Sequence, residues 1–312
     1  MDDTIVVSER ILADLIWKGS IVYLTETECE IKNIVFDEFS KVIKKIEADF
    51  GDNYIRKRNN FLLNEFDNNI TANMVFVSSF ESKSGFAIEA CAKRIAYLHY
   101  GIENVPKVIN PHGVDYDSKH INGEGQFLVT DINLEDGDLT GDITKFRANR
   151  VAHGSGKNRI ESSVTQSSIK ELLPIGQKYR CEGEVYVKPV DLAFFDGQYW
   201  NIFEIKAGGD LDSSNAPANV EKLLSIYTGL NKENTRVYFA TLYNKEGEGN
   251  LWKGAVKKHL SYPEMFLIGS QFWNKILPDG VDFNRFCDLY KYALSELNFN
   301  EHIQRMLEDT VR

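Results

Sequence analysis

Residues 189–206, P-V-D-L-A-F-F-D-G-Q-Y-W-N-I-F-E-I-K, constrain the fold more than any other stretch. Two apolar runs flank the polar turn Asp196-Gly197-Gln198, which predicts a β-hairpin. Three ionisable residues, Asp191, Glu204 and Lys206, sit inside those runs. A buried charge without a partner is very costly, so charges set in buried strands carry a task. Strand alternation puts Glu204 and Lys206, two apart, on one face. Asp191 meets them from the neighbouring strand. Two carboxylates beside an amine make a site for a hard divalent cation such as Mg²⁺, with the Ile205 carbonyl as a third protein oxygen. Such a site suits metal-assisted hydrolysis of a phosphodiester, with Lys206 orienting the water or lowering its pKa. The alternative is a hairpin in which Lys206 pairs with Glu204 or Asp191 for structure alone.

The rest of the chain sets the frame. Its 312 residues are long enough to bury a large core. The four cysteines, Cys29, Cys91, Cys181 and Cys287, are far apart and form no C-x-x-C, which argues against zinc and for a reducing compartment. The opening M-D-D-T-I-V-V-S-E-R is acidic where a signal peptide is basic, and no apolar run reaches membrane-spanning length. A cytoplasmic protein that makes no use of a membrane is the expectation. The formal charge of -10 disfavours a nonspecific nucleic-acid coat, yet it leaves room for a DNA enzyme whose basic residues are gathered locally.

They are gathered locally. Eight acids lie between Asp115 and Asp142, and then the character inverts: K-F-R-A-N-R-V-A-H-G-S-G-K-N-R, residues 145–159, holds five Lys/Arg and no acid. Lys145, Arg147, Asn149, Arg150, His153, Lys157, Asn158 and Arg159 form a candidate DNA-binding segment. Cations meet phosphates, and arginine and asparagine read guanine and adenine edges. The alternative is a solvated loop.

Apolar spacing at Ile34, Phe36, Phe39, Val42, Ile46 and Phe50 predicts a helix over 31–50 that stops at Gly51-Asp52-Asn53. A second helix is predicted over 86–101, with Ser84 as N-cap and Gly101 as stop. Glu89 on it is either an exposed acid or a third carboxylate near the metal. After the hairpin, a helix starts at Asn215 or Ala216 and ends at Gly229, followed by strands at 236–243 and 265–269 and by amphipathic helix over 284–311. The expected fold class is α/β, a mixed central β-sheet flanked by helices. The expected organisation is a single domain over 1–312: a helical part (1–80), a core (81–280) with an inserted recognition loop at about 111–165, and C-terminal helices (281–312).

P-V-D at 189–191 and E-I-K at 204–206, separated by twelve residues, resemble the PD-(D/E)xK nuclease motif. The surrounding I-F-E-I-K-A-G, N-A-P-A-N-V, V-Y-F-A-T-L-Y-N-K-E-G and M-F-L-I-G-S-Q-F-W are similar to type II restriction endonucleases that cut GGNCC-like sites. The likeness spans roughly residues 182–280. It implies a restriction-endonuclease-like core with extra terminal helices, and Mg²⁺-dependent double-strand cleavage of DNA by a homodimer at a near-palindromic site. It also implies Asp191 and Glu204 as metal ligands, Lys206 as catalytic lysine, Glu89 as the acid of the first core helix, and Asn215 and Asn219 as phosphate-orienting residues. Val190 separates Pro189 from Asp191, a departure that leaves the acid in place. Competing readings are a repair or structure-specific nuclease of the same superfamily, and a DNA-binding protein that does not cleave.

Overall fold

A computed structural model describes residues 11–17, 20–121, 123, 125–208 and 213–311. In chain order the elements are β1 (Ile11–Trp17), β2 (Ser20–Thr25), α1 (Glu26–Arg58), α2 (Asn68–Tyr100), β3 (Val108–Ile109), β4 (Gln126–Thr130), α3 (Gly137–Ala148), α4 (Leu172–Lys178), β5 (Tyr186–Val190), β6 (Leu192–Phe195), β7 (Trp200–Lys206), α5 (Asn215–Leu230), β8 (Thr235–Thr241), β9 (Phe266–Ile268), α6 (Ser270–Ile276), α7 (Phe283–Glu296) and α8 (Phe299–Val311). The chain forms two compact units, residues 1–95 with 277–312 and residues 96–276. Among the described residues no helix is long and apolar enough to cross a membrane.

The first unit corrects the expectation of a wholly helical 1–80. Residues 1–10, 18 and 19 lie outside the described residues, but β1 and β2 pair antiparallel, with Leu15 opposite Val22. Their Ile, Val, Tyr and Thr content suits a pleated surface. Helix α1 then starts from a capping box. Thr25 N–H donates to Glu28 Oε2 at 2.8 Å, and Glu28 N–H donates to Thr25 Oγ1 at 3.2 Å. The predicted stop at Gly51 fails because Tyr54, one turn on, is buried and donates to Asn68 Oδ1. Those gains outweigh the roughly 1 kcal/mol cost of an interior glycine. Ser84 is likewise interior to the continuous α2 rather than a cap. Gly101 does end α2, at φ +81°. The C-terminal helices appear where predicted, as α7 and α8.

The second unit holds two mixed sheets rather than one central sheet, ordered β3-β4-β5 and β6-β7-β8-β9. Strands β6 and β7 pair antiparallel, and β7, β8 and β9 run parallel, with α5 as the crossover between β7 and β8. The chain passes from β5 in one sheet to β6 in the other through a bend at Asp191. Strand β4, a buried run inside the predicted recognition loop, lies at the centre of the first sheet. Its first residue, Gln126, is fully buried and stitches the two sheets together. The Gln126 amide donates to Ala193 O (2.8 Å) and Pro106 O (2.9 Å), and accepts from Ala193 N–H (2.8 Å). A side-chain amide thus does for β6 what a neighbouring strand would do.

Helix α5 buries almost every residue of its last two turns, including Leu223, Leu224, Tyr227 and Leu230. It packs closely because Gly229 has no side chain. A Cβ there would stand 2.8 Å from a methyl of Leu134 and 3.0 Å from one of Leu128. Gly229 therefore does not end α5; Asn231, at φ 46°, does.

Candidate active site

The turn between β6 and β7 is closed by Asp196, whose Oδ1 accepts from Gln198 N–H (3.0 Å) and Tyr199 N–H (2.7 Å). Gly197 supplies the left-handed residue, at φ +89°. Burial pushes the Asp196 carboxyl up, but Tyr199 N–H, Asn201, Gln198 N–H and Lys275 outweigh it and hold the carboxyl below its usual range. This clamp sets the register in which Leu192 faces Phe203. Asp191, the residue just before β6, then comes beside the end of β7.

The three expected residues converge. Asp191 Oδ2 accepts from Ile205 N–H at 2.9 Å, taking the place of a strand partner that β6 no longer provides. Lys206 Nζ donates to Glu204 Oε1 at 2.6 Å. Glu204 is only 1% exposed, whereas the Asp191 and Lys206 side chains are 19% and 31% exposed, so the group is open on one side. A strand residue sends its N–H and C=O to the same edge. The Ile205 carbonyl therefore faces the Asp191 edge, where its N–H already points.

A fourth group joins them. Lys222, on α5, places Nζ 3.0 Å from Asp191 Oδ1 and 2.6 Å from Glu204 Oε2. Lys222 is thus the ion-pair partner of Glu204 Oε2, an oxygen that no backbone or hairpin group reaches. Burial and then Asp191 push the Glu204 carboxyl above its ordinary range, against the pull of Lys206 and Lys222. Burial works to lower the Lys222 amine, but Asp191 and Glu204 overcome it and raise it. Sequence reasoning missed Lys222. Its signal was spacing: Asn215, Asn219 and Lys222 stand at i, i+4 and i+7, one polar stripe along the first half of the helix.

The donor set fits a hard divalent cation. It offers two carboxylates and a carbonyl on the same edge, with one oxygen of each carboxylate held only by the Lys222 ammonium. Among the described residues no group of three or more His, Cys, Asp or Glu could hold a metal ion. A cation here would thus rely on few protein ligands and keep several waters, as Mg²⁺ does.

The other candidates are placed variously. Asn215 is exposed, and the half-buried Asn219 donates back to Asn215 O at 2.9 Å. Glu89 stands half-buried on α2 in the first unit, whereas Asp191, Glu204, Lys206 and Lys222 all belong to the second. The basic segment is only partly a loop, for Lys145 and Arg147 belong to α3 and Asn149 caps it. Arg147 is buried. Its Nε donates to Glu221 Oε1 at 2.8 Å and its Nη1 lies 3.0 Å from His259 Nδ1. Burial, then Arg147, lowers the His259 pKa. Arg150 donates to Glu171 at 2.7 Å and lies over the Phe146 ring. These two arginines are thus engaged in packing α3. Beyond them the chain folds into a finger closed by the bridge between His153 and Ile160. Gly154, at φ +76°, could not bear a Cβ, which would stand 2.3 Å from Asn158 O. Lys157, Asn158 and Arg159 are exposed on the finger, with Arg159 paired to Glu161 at 2.7 Å. Lys145, Asn149 and His153 are exposed as well.

Residues 146–293 match the family model of the type II restriction endonuclease HinfI. The matched span is just under half the chain and includes the finger, the β6–β7 hairpin, α5 and both parallel strands that follow. No curated protein and no solved structure matches the chain. The family match supports a restriction endonuclease, hence a nuclease that binds DNA.

Proposed function

We propose that the chain is a Mg²⁺-dependent type II restriction endonuclease. It hydrolyses both strands of double-stranded DNA at a short, near-palindromic site, as a cytoplasmic homodimer. The observation that carries this reading is the convergence of Asp191, Glu204 and Lys206 on one open edge. Asp191 and Glu204, with the Ile205 carbonyl, would hold the ion. When bound, Mg²⁺ supplies Lewis-acid polarisation of the scissile phosphate. Lys206 sets a positive charge beside the approaching water and stabilises charge gathering on the phosphate oxygens. Glu204, itself held by Lys206, fixes where that charge sits.

The exposed polar residues supply the grip. Lys157, Asn158 and Arg159 on the finger, with Lys145, Asn149 and His153 nearby in sequence, are assigned to phosphate and base contacts. Asn215 and Asn219, on the same stripe as Lys222, orient backbone phosphates at the site. Glu89 remains a proposed additional acid. A two-fold dimer suits a two-fold substrate. The GGNCC-like site is the finer part of the reading and rests on resemblance.

Plasmid DNA with Mg²⁺ tests it. Discrete fragments are expected, and sequencing their ends gives the site. Asp191→Asn and Lys206→Ala should abolish cutting while a gel shift persists. Cutting by either variant at the wild-type rate overturns the assignment of the metal site. Structure-dependent nicking would mean a repair-type nuclease, and a shift without cleavage a binding protein.

A further inference from the structure

We propose that Lys222 is a resident counter-ion that holds the cation position between Asp191 and Glu204. It must leave for a divalent ion to bind, and a DNA phosphate receives it when it does. The proposal rests on the nuclease reading above.

The hydrogen-bond inventory points to Lys222. Each carboxylate has one oxygen engaged by the hairpin itself, Asp191 Oδ2 by Ile205 N–H and Glu204 Oε1 by Lys206. The oxygens left for a cation are Asp191 Oδ1 and Glu204 Oε2. Those are the two that the single Lys222 ammonium spans, at 3.0 and 2.6 Å. A divalent ion ligated by both needs short contacts to the same lone pairs, about 2.0–2.1 Å for Mg²⁺. The ammonium and the ion cannot share them.

Charge points the same way. Two carboxylates and two lysines sum to zero, so the site is balanced without metal. A divalent ion would leave it at plus two in a half-buried setting, where the charges repel strongly. A phosphodiester offsets part of that excess. Space for it adjoins α5, in a cavity of about 260 Å³ lined by Lys222, Lys188, Thr140 and Ser225. A phosphate oxygen there would lie beside the side chains of Lys222 and Lys188, the latter in a loose 3.7 Å pair with the exposed Glu135. Glu221 also lines the cavity, but Arg147 holds its carboxylate at 2.8 Å. Metal and DNA backbone therefore bind cooperatively, with Lys222 as the moving part.

Calorimetric titration of Ca²⁺ into the full-length protein, with and without linear duplex DNA, tests this. Ca²⁺ has the charge and oxygen preference of Mg²⁺ with looser geometry. For the wild type, DNA should tighten Ca²⁺ binding about tenfold or more. Lys222→Met should bind Ca²⁺ about tenfold more tightly than the wild type without DNA, and DNA should then add little. Lys222→Gln provides a second variant should Lys222→Met fold poorly. Ca²⁺ should also raise the melting temperature of either variant more than that of the wild type, because unneutralised carboxylates face each other in the variants. Unchanged Ca²⁺ affinity in both variants overturns the proposal. So does equal tightening in Lys206→Met, which would reveal a general charge effect. Ca²⁺ binding that ignores Lys222 removes this inference alone; no Ca²⁺ binding by any form removes the nuclease reading as well.

Discussion

Replacing Gln126 with leucine tests whether a side chain can serve as a strand. The Gln126 amide makes three hydrogen bonds, two of them buried and to both backbone groups of Ala193. At about 1 kcal/mol net each, their loss costs about 3 kcal/mol. Ala193 is fully buried, so its orphaned N–H and C=O add about 1–3 kcal/mol of unrecovered desolvation. The apolar leucine returns about 1–2 kcal/mol through burial. The net expectation is a loss of about 2–5 kcal/mol, on the order of 1–2 M in urea midpoint. Tryptophan fluorescence is the suitable probe, since Trp200, Trp252 and Trp273 lie in the second unit and only Trp17 in the first. Asp191 stands two residues before Ala193, so loosening β6 also loosens the carboxylate. A displacement near 1 Å is worth about 100-fold in rate, and kcat should fall more than KM rises. A midpoint shift under about 0.3 M with unchanged cutting would refute the claim that this amide holds the two sheets in register.

Four other outcomes are expected. Gly229→Ala should lower stability by about 1–3 kcal/mol, read by thermal melting, because its Cβ would press on Leu134 and Leu128. Lys157→Ala and Arg159→Ala should each reduce the salt slope of DNA binding by about one without changing the melting temperature; unchanged slopes would take the finger off the DNA. Gly154→Ala should open the finger and speed proteolysis there, since its φ of +76° and the Asn158 carbonyl leave no room for a methyl. Glu204 gives a pH signature in metal-free protein. Its folded pKa lies above the unfolded 4.5, so between those values the unfolded chain has already released the proton that the folded chain keeps. Stability relative to Glu204→Gln should fall as pH rises through that window, and a rise instead would refute the burial argument.

The legible parts of the fold were those with local signals. The hairpin showed itself through alternation around Asp196-Gly197-Gln198, and α5 through Pro217 and its apolar turns. The errors have physical causes. Gly51 and Ser84-Gly85 read as punctuation, but each sits inside a helix of 33 residues whose tertiary burial overrides a local cost. Strand β4 was hidden because Q-F-L-V-T is a short, wholly buried run with no alternation, surrounded by acids and glycines. Two sheets instead of one follow from the bend at Asp191, which no periodicity announces.

The site divides along the same line. Asp191, Glu204 and Lys206 were legible because two lie two apart on one strand and the third lies across a tight turn, so local geometry brings them together. The basic segment was legible as charge but not as placement. Arg147 sits in the last turn of α3 and Arg150 just beyond its cap, where cations favour the helix dipole and where Glu221 and Glu171 pair with them. Composition cannot tell an arginine that packs a helix from one that meets a phosphate; of the three arginines in the segment, Arg159, in the finger closed by the His153–Ile160 bridge, is the one presented outward. Lys222 was the hardest to see, because its meaning is relational. Two carboxylates brought within reach of one lysine leave each other uncompensated, and a buried Glu204 that stayed ionised would need a second cation from somewhere in the fold. The sequence offers many lysines, and it is the parallel crossover from β7 to β8 that lays one stripe of α5 over that pair.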